Sequence, residues 1–298
     1  MCIEKDMADS SQLLGRTMVV VAHPDDECFT CGALMQRMRE PLVVYATDGA
    51  PRDKYFWGAH GTREAYAELR RQEARRALAQ VGVTRVEFLA EDAELGDKFV
   101  DQQLFRVIPF AYQALAKVMD HFQPEALLTL AYEGGHPDHD TCNFLTAQLA
   151  RDRRIPAWES ALYHQDHRAA ERRRNKKAEE LGHPDLGPQH FICPTREEIT
   201  FDISGVELGR KIAMCREYAS QGDFLQVFDA TREVLRPMAS YDYTARPHEG
   251  PLNYERWQWT MTGDEVCAEF KNFLDSRAKC RGEEHQHTTR PGSMDSNR

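Results

Sequence analysis

Residues 18–27 read MVVVAHPDDE: five apolar residues lead directly into a histidine, a proline and three acidic residues. A short apolar run that ends at a proline is typical of a buried strand in a parallel sheet. Such strands carry functional side chains at their carboxyl ends. Here the carboxyl end would present the imidazole of His23 and the carboxylates of Asp25 and Asp26.

The same arrangement recurs at residues 126–139, which read ALLTLAYEGGHPDH. A second apolar run again leads to His-Pro-Asp, this time followed by His139. The two strand ends therefore carry His-x-x-Asp and His-x-x-His, and the candidate metal ligands are His23, Asp26 and His139. A catalytic zinc ion takes three protein ligands of these kinds and keeps one further position for water.

The other polar residues of the two motifs suit catalysis. Zinc lowers the pKa of a bound water to about 7, so Asp25, beside a ligand but pointing elsewhere, is the expected general base. His136 is expected to polarise the substrate carbonyl or to protonate the leaving nitrogen. Asp138 is expected to orient an imidazole from behind the metal site.

His-Pro-Asp alone is a weak signal, because it also makes an ordinary turn before a helix, with Asp as the N-cap. A third copy, at residues 183–185, follows the charged run at 171–177 and no apolar strand. We interpret that copy as a loop without a ligand role. The C-x-x-C pair of Cys28 and Cys31 would permit redox chemistry or a second metal site, but its place directly after the first motif favours packing against the sheet.

The two motifs together resemble the LmbE/PIG-L family of zinc-dependent de-N-acetylases. The resemblance implies that zinc, or Fe(II) in a reducing compartment, binds His23, Asp26 and His139, with Asp25 as the base. Similar stretches between about residues 17 and 260 are Cys31-Gly32, Thr47-Asp48-Gly49, Arg70-x-x-Glu73, Phe88-Leu89 before Asp92, and Lys211 upstream of Gln221.

The resemblance also implies a reaction and a substrate class. The reaction is removal of an N-acetyl or other N-acyl group from a small polar molecule, with an N-acetylglucosamine conjugate as the first expectation. The alternative substrate is a thiol conjugate, an amino acid or a natural-product intermediate. A binding protein that has lost catalysis is a third interpretation.

Substrate contacts are expected from Arg70, Asp92, Tyr132 and Gln221, and from the variable segment 155–205. Some sugar deacetylases of this family carry a tyrosine two residues before the first histidine of the second motif. Glycine occupies that position here, and Tyr132 is the nearest aromatic residue that would reach in from the loop.

Arg70 can be placed by pattern alone. It lies on one helical stripe with Ala74, Ala77, Leu78 and Val81, so it is predicted to face inward. An inward arginine needs an anionic partner or a site to reach. The sequence leaves open whether that partner is a buried carboxylate or the substrate.

Length and composition fit a single α/β domain, since 298 residues with 41% hydrophobic content can bury a full core. Apolar strands alternate with longer amphipathic stretches, which favours a Rossmann-like, mainly parallel sheet flanked by helices. The domain is expected over 15–278, with flexible tails at 1–14 and 279–298. Strands are predicted near 17–22, 42–47, 85–90 and 126–131, and helices near 31–39, 62–80, 101–122, 141–151 and 206–221.

Several other classes of protein are disfavoured. HPDDE stands where a dinucleotide-binding enzyme would carry G-x-G-x-x-G, and a net charge of −10 argues against a nucleic-acid partner. No stretch approaches the roughly 20 apolar residues of a membrane span, and no signal peptide is apparent. We therefore expect a cytoplasmic enzyme with a small-molecule substrate, and the sequence leaves homo-oligomerisation open.

The aromatic residues within 241–259 are predicted to pack mostly in the core.

Overall fold

A computed structural model describes residues 10–163, 190–222 and 230–288, with side chains up to residue 279. The third His-Pro-Asp copy and the charged run before it lie outside these residues. Within the described residues, the strands form one sheet and are β1 (Arg16–Val21), β2 (Glu40–Tyr45), β3 (Arg85–Phe88), β4 (Ala126–Leu130), β5 (Ala157–Ser160), β6 (Ile199–Phe201) and β7 (Glu233–Pro237). Their order across the sheet is β3-β2-β1-β4-β5-β7-β6.

The sheet is mainly parallel. The neighbouring strands from β3 to β5 all run in one direction, whereas β7 and β6 are antiparallel additions at one edge. The prediction of a single Rossmann-like α/β domain is confirmed. The strands β1 to β4 were predicted to within about two residues at each end, while β5, β6 and β7 were not predicted.

Helices connect the strands and bury both faces of β1, where Met18 to Val21 are all buried. This explains why the strand is a continuous apolar run without alternation. None of the helices in the described part of the chain is long and apolar enough to cross a membrane. The helices are α1 (Asp26–Cys31), α2 (Lys54–Trp57), α3 (Arg63–Gln80), α4 (Ile108–Phe122), α5 (Pro137–Arg153), α6 (Gly205–Glu217), α7 (Asn253–Arg256) and α8 (Gly263–Thr288).

Helix α3 follows the predicted pattern closely. It begins after Thr62, whose side chain accepts a hydrogen bond from the backbone N–H of Ala65, as an N-cap should. The predicted inward stripe is buried, and Arg70 is buried with it. Cys28 and Cys31 lie on α1 as buried free thiols, which agrees with their predicted packing against the sheet.

The expected helix boundaries need correction in the first half of the chain. The helix predicted at 31–39 is replaced by α1 and a 3-10 turn at Leu34–Arg37. The helix predicted at 101–122 begins only at Ile108, after a loop and a 3-10 turn. The helix predicted at 141–151 begins earlier, at Pro137, because proline at the first helical position is well tolerated.

Both predicted tails are shorter than expected. Residues 10–14 form a 3-10 helix because Leu13 is fully buried against the sheet. At the other end, α8 continues to Thr288, and the Lys, Arg, Glu and Gln residues there favour helix. Residues 1–9 and 289–298 lie outside the described part.

A buried ion pair joins α6 to the antiparallel edge of the sheet. Lys211 Nζ lies 2.8 Å from Glu233 Oε1, and both side chains are fully buried. The Glu233 carboxylate also accepts hydrogen bonds from the backbone N–H groups of Ala33 and Leu34, at 2.6 and 2.9 Å. The pair therefore fixes the segment after α1 to β7.

We predict that Lys211→Met lowers the free energy of unfolding by about 3–5 kcal/mol, because Glu233 is left as an unpaired buried charge. Denaturant unfolding followed by circular dichroism measures the change. Lys271→Met is the control, since Lys271 pairs with Asp275 on an exposed face of α8 and such pairs contribute about 1 kcal/mol or less. Equally small losses in both variants would contradict the structural role of the buried pair.

Candidate metal centre at the carboxyl ends of β1 and β4

The two sequence motifs meet where the strand order reverses. From β1 the chain adds β2 and β3 on one side, then returns to place β4 on the other side of β1. Each motif turns directly from its strand into a helix, with Asp26 as the first residue of α1 and His136 as the N-cap of α5. A reversal of this kind opens a crevice at the carboxyl ends of the strands.

The structure brings the predicted metal ligands together. His23 Nδ1 lies 3.3 Å from His139 Nε2 and 3.5 Å from Asp26 Oδ2. His139 Nε2 lies 3.1 Å from Asp26 Oδ1. All three side chains are buried, so these donor atoms form a compact triangle shielded from bulk water.

A second set of polar atoms faces the other nitrogen of the His23 ring. Its Nε2 lies 3.1 Å from Asp101 Oδ1 and 3.2 Å from Asp138 Oδ2. His136 Nε2 lies 3.5 Å from the same Asp101 oxygen. Donor atoms close enough to hold a metal ion fall into two groups among the described residues, namely His23, His136 and His139, and His23, Asp101, His136 and Asp138.

Backbone N–H groups hold the two motif carboxylates in place. Asp26 Oδ2 accepts hydrogen bonds from the N–H groups of Ala22 and His23, at 3.1 and 2.8 Å. Asp138 accepts from the N–H groups of Gln102 and Leu104, at 2.6 and 3.0 Å. Hydrogen bonds of this kind favour the ionised carboxylate and fix its direction.

The ring of His136 has a defined orientation. Its Nδ1 accepts a hydrogen bond from the backbone N–H of Asp138 at 3.1 Å, so the neutral ring carries its proton on Nε2. Burial, followed by the proximity of His23, holds the pKa of His136 well below its usual value. His136 is therefore a neutral imidazole whose Nε2–H is available as a hydrogen-bond donor.

Asp25 is paired with Arg70. Arg70 Nη2 lies 2.9 Å from Asp25 Oδ2 and donates to the carbonyl of Pro24 at 2.5 Å, while Nη1 donates to the carbonyl of Gly49 at 2.6 Å. Gly49 has φ 64°, and a Cβ there would lie 3.0 Å from the guanidinium, so this close approach requires glycine. Burial raises the pKa of Asp25 to about 7, and the Arg70 charge opposes that rise.

Asp25 also has a strained backbone, with φ 136°. Its N–H donates to Glu27 Oε2 at 3.1 Å, and the other oxygen of Glu27 accepts from the hydroxyl of Tyr218. The Tyr218 hydroxyl lies 3.2 Å from that of Tyr45. Burial raises the pKa of Glu27 to about 8 despite the bond from Tyr218. This buried network holds Asp25 in a backbone conformation that residues other than glycine rarely adopt.

The cluster carries more negative than positive charge. Asp25, Asp26, Asp101 and Asp138 are all buried, and Arg70 pairs with Asp25. Burial lowers the pKa of His23, but Asp101 and the other carboxylates outweigh burial and raise it well above its usual value. Asp101 Oδ1 is buried without a well-formed hydrogen bond in the described part of the structure. Oxygen and imidazole donors around such an excess of charge fit a divalent cation.

Several residues of this site were not predicted from the sequence. Asp101 lies in the loop between β3 and α4, where its N–H donates to Asp48 Oδ1 at 3.2 Å. No apolar strand precedes Asp101, so the sequence pattern did not indicate a functional residue at this position. Glu27 belongs to the first motif but was given no role, and Tyr218 gave no signal. Trp259 was grouped with the aromatic residues within 241–259 that were predicted to pack mostly in the core. The Trp259 ring packs edge-on against His136, with ring centroids 5.0 Å apart.

The residues expected to contact the substrate do not all lie near the His/Asp cluster. Gln221 donates to the Tyr66 hydroxyl, and the Arg70 guanidinium lies 5.9 Å from the Tyr66 ring, so Gln221 is near the site. Tyr132 instead donates to the carbonyl of Ala245 at 2.7 Å, within a cluster of aromatic rings. Asp92 caps an exposed turn through the N–H groups of residues 94 and 95. The structure does not bring Tyr132 or Asp92 to the metal centre.

Fold and site thus define a Rossmann-like α/β protein with a buried His/Asp cluster at the switch point of its sheet. Residues 18–150 match the model of the PIG-L family, described as GlcNAc-PI de-N-acetylase. The predicted resemblance to the LmbE/PIG-L family is confirmed over these residues.

Individual proteins agree with this assignment. The 1D-myo-inositol 2-acetamido-2-deoxy-alpha-D-glucopyranoside deacetylase of Mycobacterium sp. (strain KMS) is 30% identical over 164 residues, which cover 47% of this chain and 52% of the relative. The probable N-acetyl-alpha-D-glucosaminyl L-malate deacetylase 2 of Bacillus cereus is 26% identical over 175 residues, covering 57% and 73%. The chain spans about half the length of the mycobacterial relatives it matches.

A solved structure supports the fold. The crystal structure of a deacetylase from the teicoplanin biosynthesis pathway superimposes with a TM-score of 0.55 and 15% sequence identity. The alignment covers 76% of this chain and 99% of that one. The shared architecture therefore includes most of the described sheet and helices.

The strain at Asp25 generates a prediction that uses two matched variants. Asp25→Gly and Asp25→Ala both remove the carboxylate, but only glycine adopts φ 136° without strain. We predict that the glycine variant has the larger free energy of unfolding, by about 1–3 kcal/mol. Denaturant unfolding of both proteins measures the difference. An alanine variant of equal or greater stability would show that the backbone of Asp25 relaxes at no cost.

Proposed function

We propose that this protein is a metal-dependent amide hydrolase that removes an N-acetyl group from an amino-sugar conjugate. The observation that carries the proposal is the triangle of His23 Nδ1, His139 Nε2 and the Asp26 carboxylate, with Asp25 beside it. The relatives described above are named as deacetylases of N-acetylglucosaminyl compounds, which supports the substrate class.

His23, Asp26 and His139 are the proposed metal ligands. His136 is less suited, because its Nδ1 is occupied by the Asp138 N–H and its Nε2 carries the proton. Zinc is the first candidate for this donor set, with Fe(II) as the alternative. When bound, zinc acidifies water and polarises a carbonyl group.

Asp25 is the proposed general base. It lies next to a ligand in sequence, and burial raises its pKa to about 7, close to the pH at which a base is both ionised and effective. Arg70 holds the carboxylate in one direction through the 2.9 Å contact. In the proposed reaction Asp25 takes the proton of the attacking water.

His136 and Asp138 have separate proposed roles. The Nε2–H of His136 would donate a hydrogen bond to the amide oxygen as negative charge develops there. Asp101 Oδ1 lies 3.5 Å from that nitrogen, too far for a well-formed hydrogen bond, so the Nε2–H stays available to the amide oxygen. Asp138 accepts from the outer nitrogen of His23 and so orients a metal ligand. As the C–N bond breaks, Asp25 returns its proton to the leaving amine, and the acyl group is released as a carboxylate.

Direct substrate contacts remain proposals. Gln221 lies near Arg70 and is proposed to contact a sugar hydroxyl. Tyr132 and Asp92 would contact the substrate only if it were larger. A cytoplasmic location and a small-molecule substrate are likewise part of this proposal.

We predict that Asp25→Asn keeps the metal and reduces kcat by roughly a hundredfold or more, the scale of general base catalysis. His139→Ala should lose the metal, because it removes one of three protein ligands. Metal analysis and release of free amine from N-acetylglucosamine glycosides measure the two effects. His121→Ala, an exposed histidine on α4, is the control and should retain metal and activity.

Two results would contradict these assignments. Near-native turnover of Asp25→Asn would mean that another group accepts the proton. Retention of stoichiometric metal by His139→Ala, with loss in a His136→Ala variant, would exchange the roles of the two histidines in the second motif.

Arg70 gives a prediction of its own. Because it contacts the base, Arg70→Met should lower kcat/KM on the order of a hundredfold, and by the same factor for an N-acetylglucosamine conjugate and for a minimal acetamide. Steady-state kinetics on both substrates measure this. Arg76→Met, an exposed site on the same helix, is the control. A loss confined to the conjugate would instead assign Arg70 to substrate binding.

A further inference from the structure

A row of aromatic rings leads from the metal centre to the protein surface. The Trp259 ring lies against His136, with centroids 5.0 Å apart. Phe56 follows at 6.4 Å from Trp259, and Tyr55 at 5.3 Å from Phe56. We call Trp259, Phe56 and Tyr55 the aromatic row.

A second branch joins the aromatic row to the opposite side of the site. Tyr163 lies 5.0 Å from His139, Trp257 lies 5.9 Å from Tyr163, and Trp257 lies 5.1 Å from Trp259. The rings come from three separate parts of the chain: the loop after β2, the end of β5, and the segment after α7. Rings from distant segments therefore converge around both histidines of the second motif.

The aromatic residues within 241–259 were predicted to pack mostly in the core, and Trp257 and Trp259 do pack against it. Both keep part of their surface exposed, in contrast to the buried Tyr243 and Tyr254 of the same stretch. Tyr55, at the outer end of the aromatic row, is 85% exposed. Contiguous exposed apolar surface on a soluble protein marks a place where something binds.

The loop that carries Tyr55 and Phe56 is firmly held. Trp57 donates through Nε1 to the carbonyl of Pro51 at 3.1 Å and packs against a small cluster formed by Ala50, Tyr66 and Ala67. Asp53 caps α2 by accepting from the Tyr55 N–H at 2.9 Å. The ring of Trp57 thus anchors the loop, while Tyr55 is exposed and Phe56 lies partly buried between Tyr55 and Trp259.

We propose that the aromatic row binds an aryl group attached to the amino sugar. This inference rests on the proposed deacetylase function and specifies its substrate. If the amide oxygen meets the Nε2–H of His136, the sugar lies near Trp259, and the next group outward meets Phe56 and Tyr55. Aromatic rings pack well against other rings in edge-on or offset arrangements, and the rings of the row keep part of their surface exposed. The row therefore fits a flat apolar ring better than a small polar conjugate.

The test compares the zinc-loaded, full-length protein on two substrates, phenyl and methyl N-acetylglucosaminides, each as both anomers. We expect kcat/KM for the phenyl glycoside to exceed that for the methyl glycoside by about tenfold, the scale of one or two aromatic contacts. The difference should appear mainly in KM, because the contact is present both before and during the reaction.

Variants of the aromatic row test whether it causes the preference for the phenyl glycoside. Tyr55→Ser and Phe56→Ala should each lower the phenyl-to-methyl ratio, and the double variant should bring it near one. Phe110→Ala is the matched control, because Phe110 is 41% exposed on α4 and takes no part in the site. It should leave both rates and the ratio unchanged.

The possible failures are distinct. If the loaded protein releases no amine from either glycoside, the proposed function falls and this inference with it. If both glycosides are hydrolysed with a ratio near one, or if the ratio survives the double variant, the inference is wrong and the proposed function stands. A double variant that changes only the oligomeric state in light scattering, with the ratio intact, would assign the row to a protein interface instead.

Discussion

The structure depends on the neutralisation of four buried carboxylates packed around the imidazole of His23. Burying an ion that lacks partners costs several kcal/mol, so each of these groups needs a compensating contact. Arg70 pairs with Asp25, backbone N–H groups hold Asp26 and Asp138, and Asp101 faces two imidazoles. The remaining deficit of positive charge is what a divalent cation would supply. The same contacts that offset the cost of burying these carboxylates also fix the directions of the side chains proposed to act in the reaction.

The parallel sheet explains how these groups meet. Adjacent parallel strands end at the same edge, and the reversal of strand order between β1 and β4 leaves that edge open. Each motif passes through a short turn into α1 or α5. One carboxylate and one imidazole of each motif therefore lie at or next to the beginning of a helix. The strained φ of Asp25 is tolerated because Glu27, Tyr218 and Arg70 hold the residue from both sides. The strain costs stability locally and leaves Asp25, the proposed base, a single position.

The sequence predicted those parts of the molecule that carry a local signal. The runs 18–22 and 126–130 are apolar without alternation, so the two central strands and their functional ends were predictable, as was the inward face of Arg70. Asp101 was not, because its approach to His23 depends on a loop with φ 67° at Gln102 and on the distant Asp48. The strands β5 to β7 were missed because they are short, and β5 and β6 lie within a polar, proline-interrupted segment. Tyr132 was assigned to the site by proximity in sequence, but its hydroxyl satisfies a backbone carbonyl elsewhere.

His23 lies at the centre of the cluster. Its Nδ1 faces Asp26 and His139. Its Nε2 faces Asp101 and Asp138. The position of a bound metal ion therefore distinguishes the two sides of this ring. Crystals of the zinc-loaded protein, measured above and below the zinc absorption edge, would locate the ion by anomalous scattering. We expect the peak between His23 Nδ1, Asp26 and His139 Nε2. A peak on the other side of the ring, among Asp101, His136 and Asp138, would contradict the assignment of ligands and base.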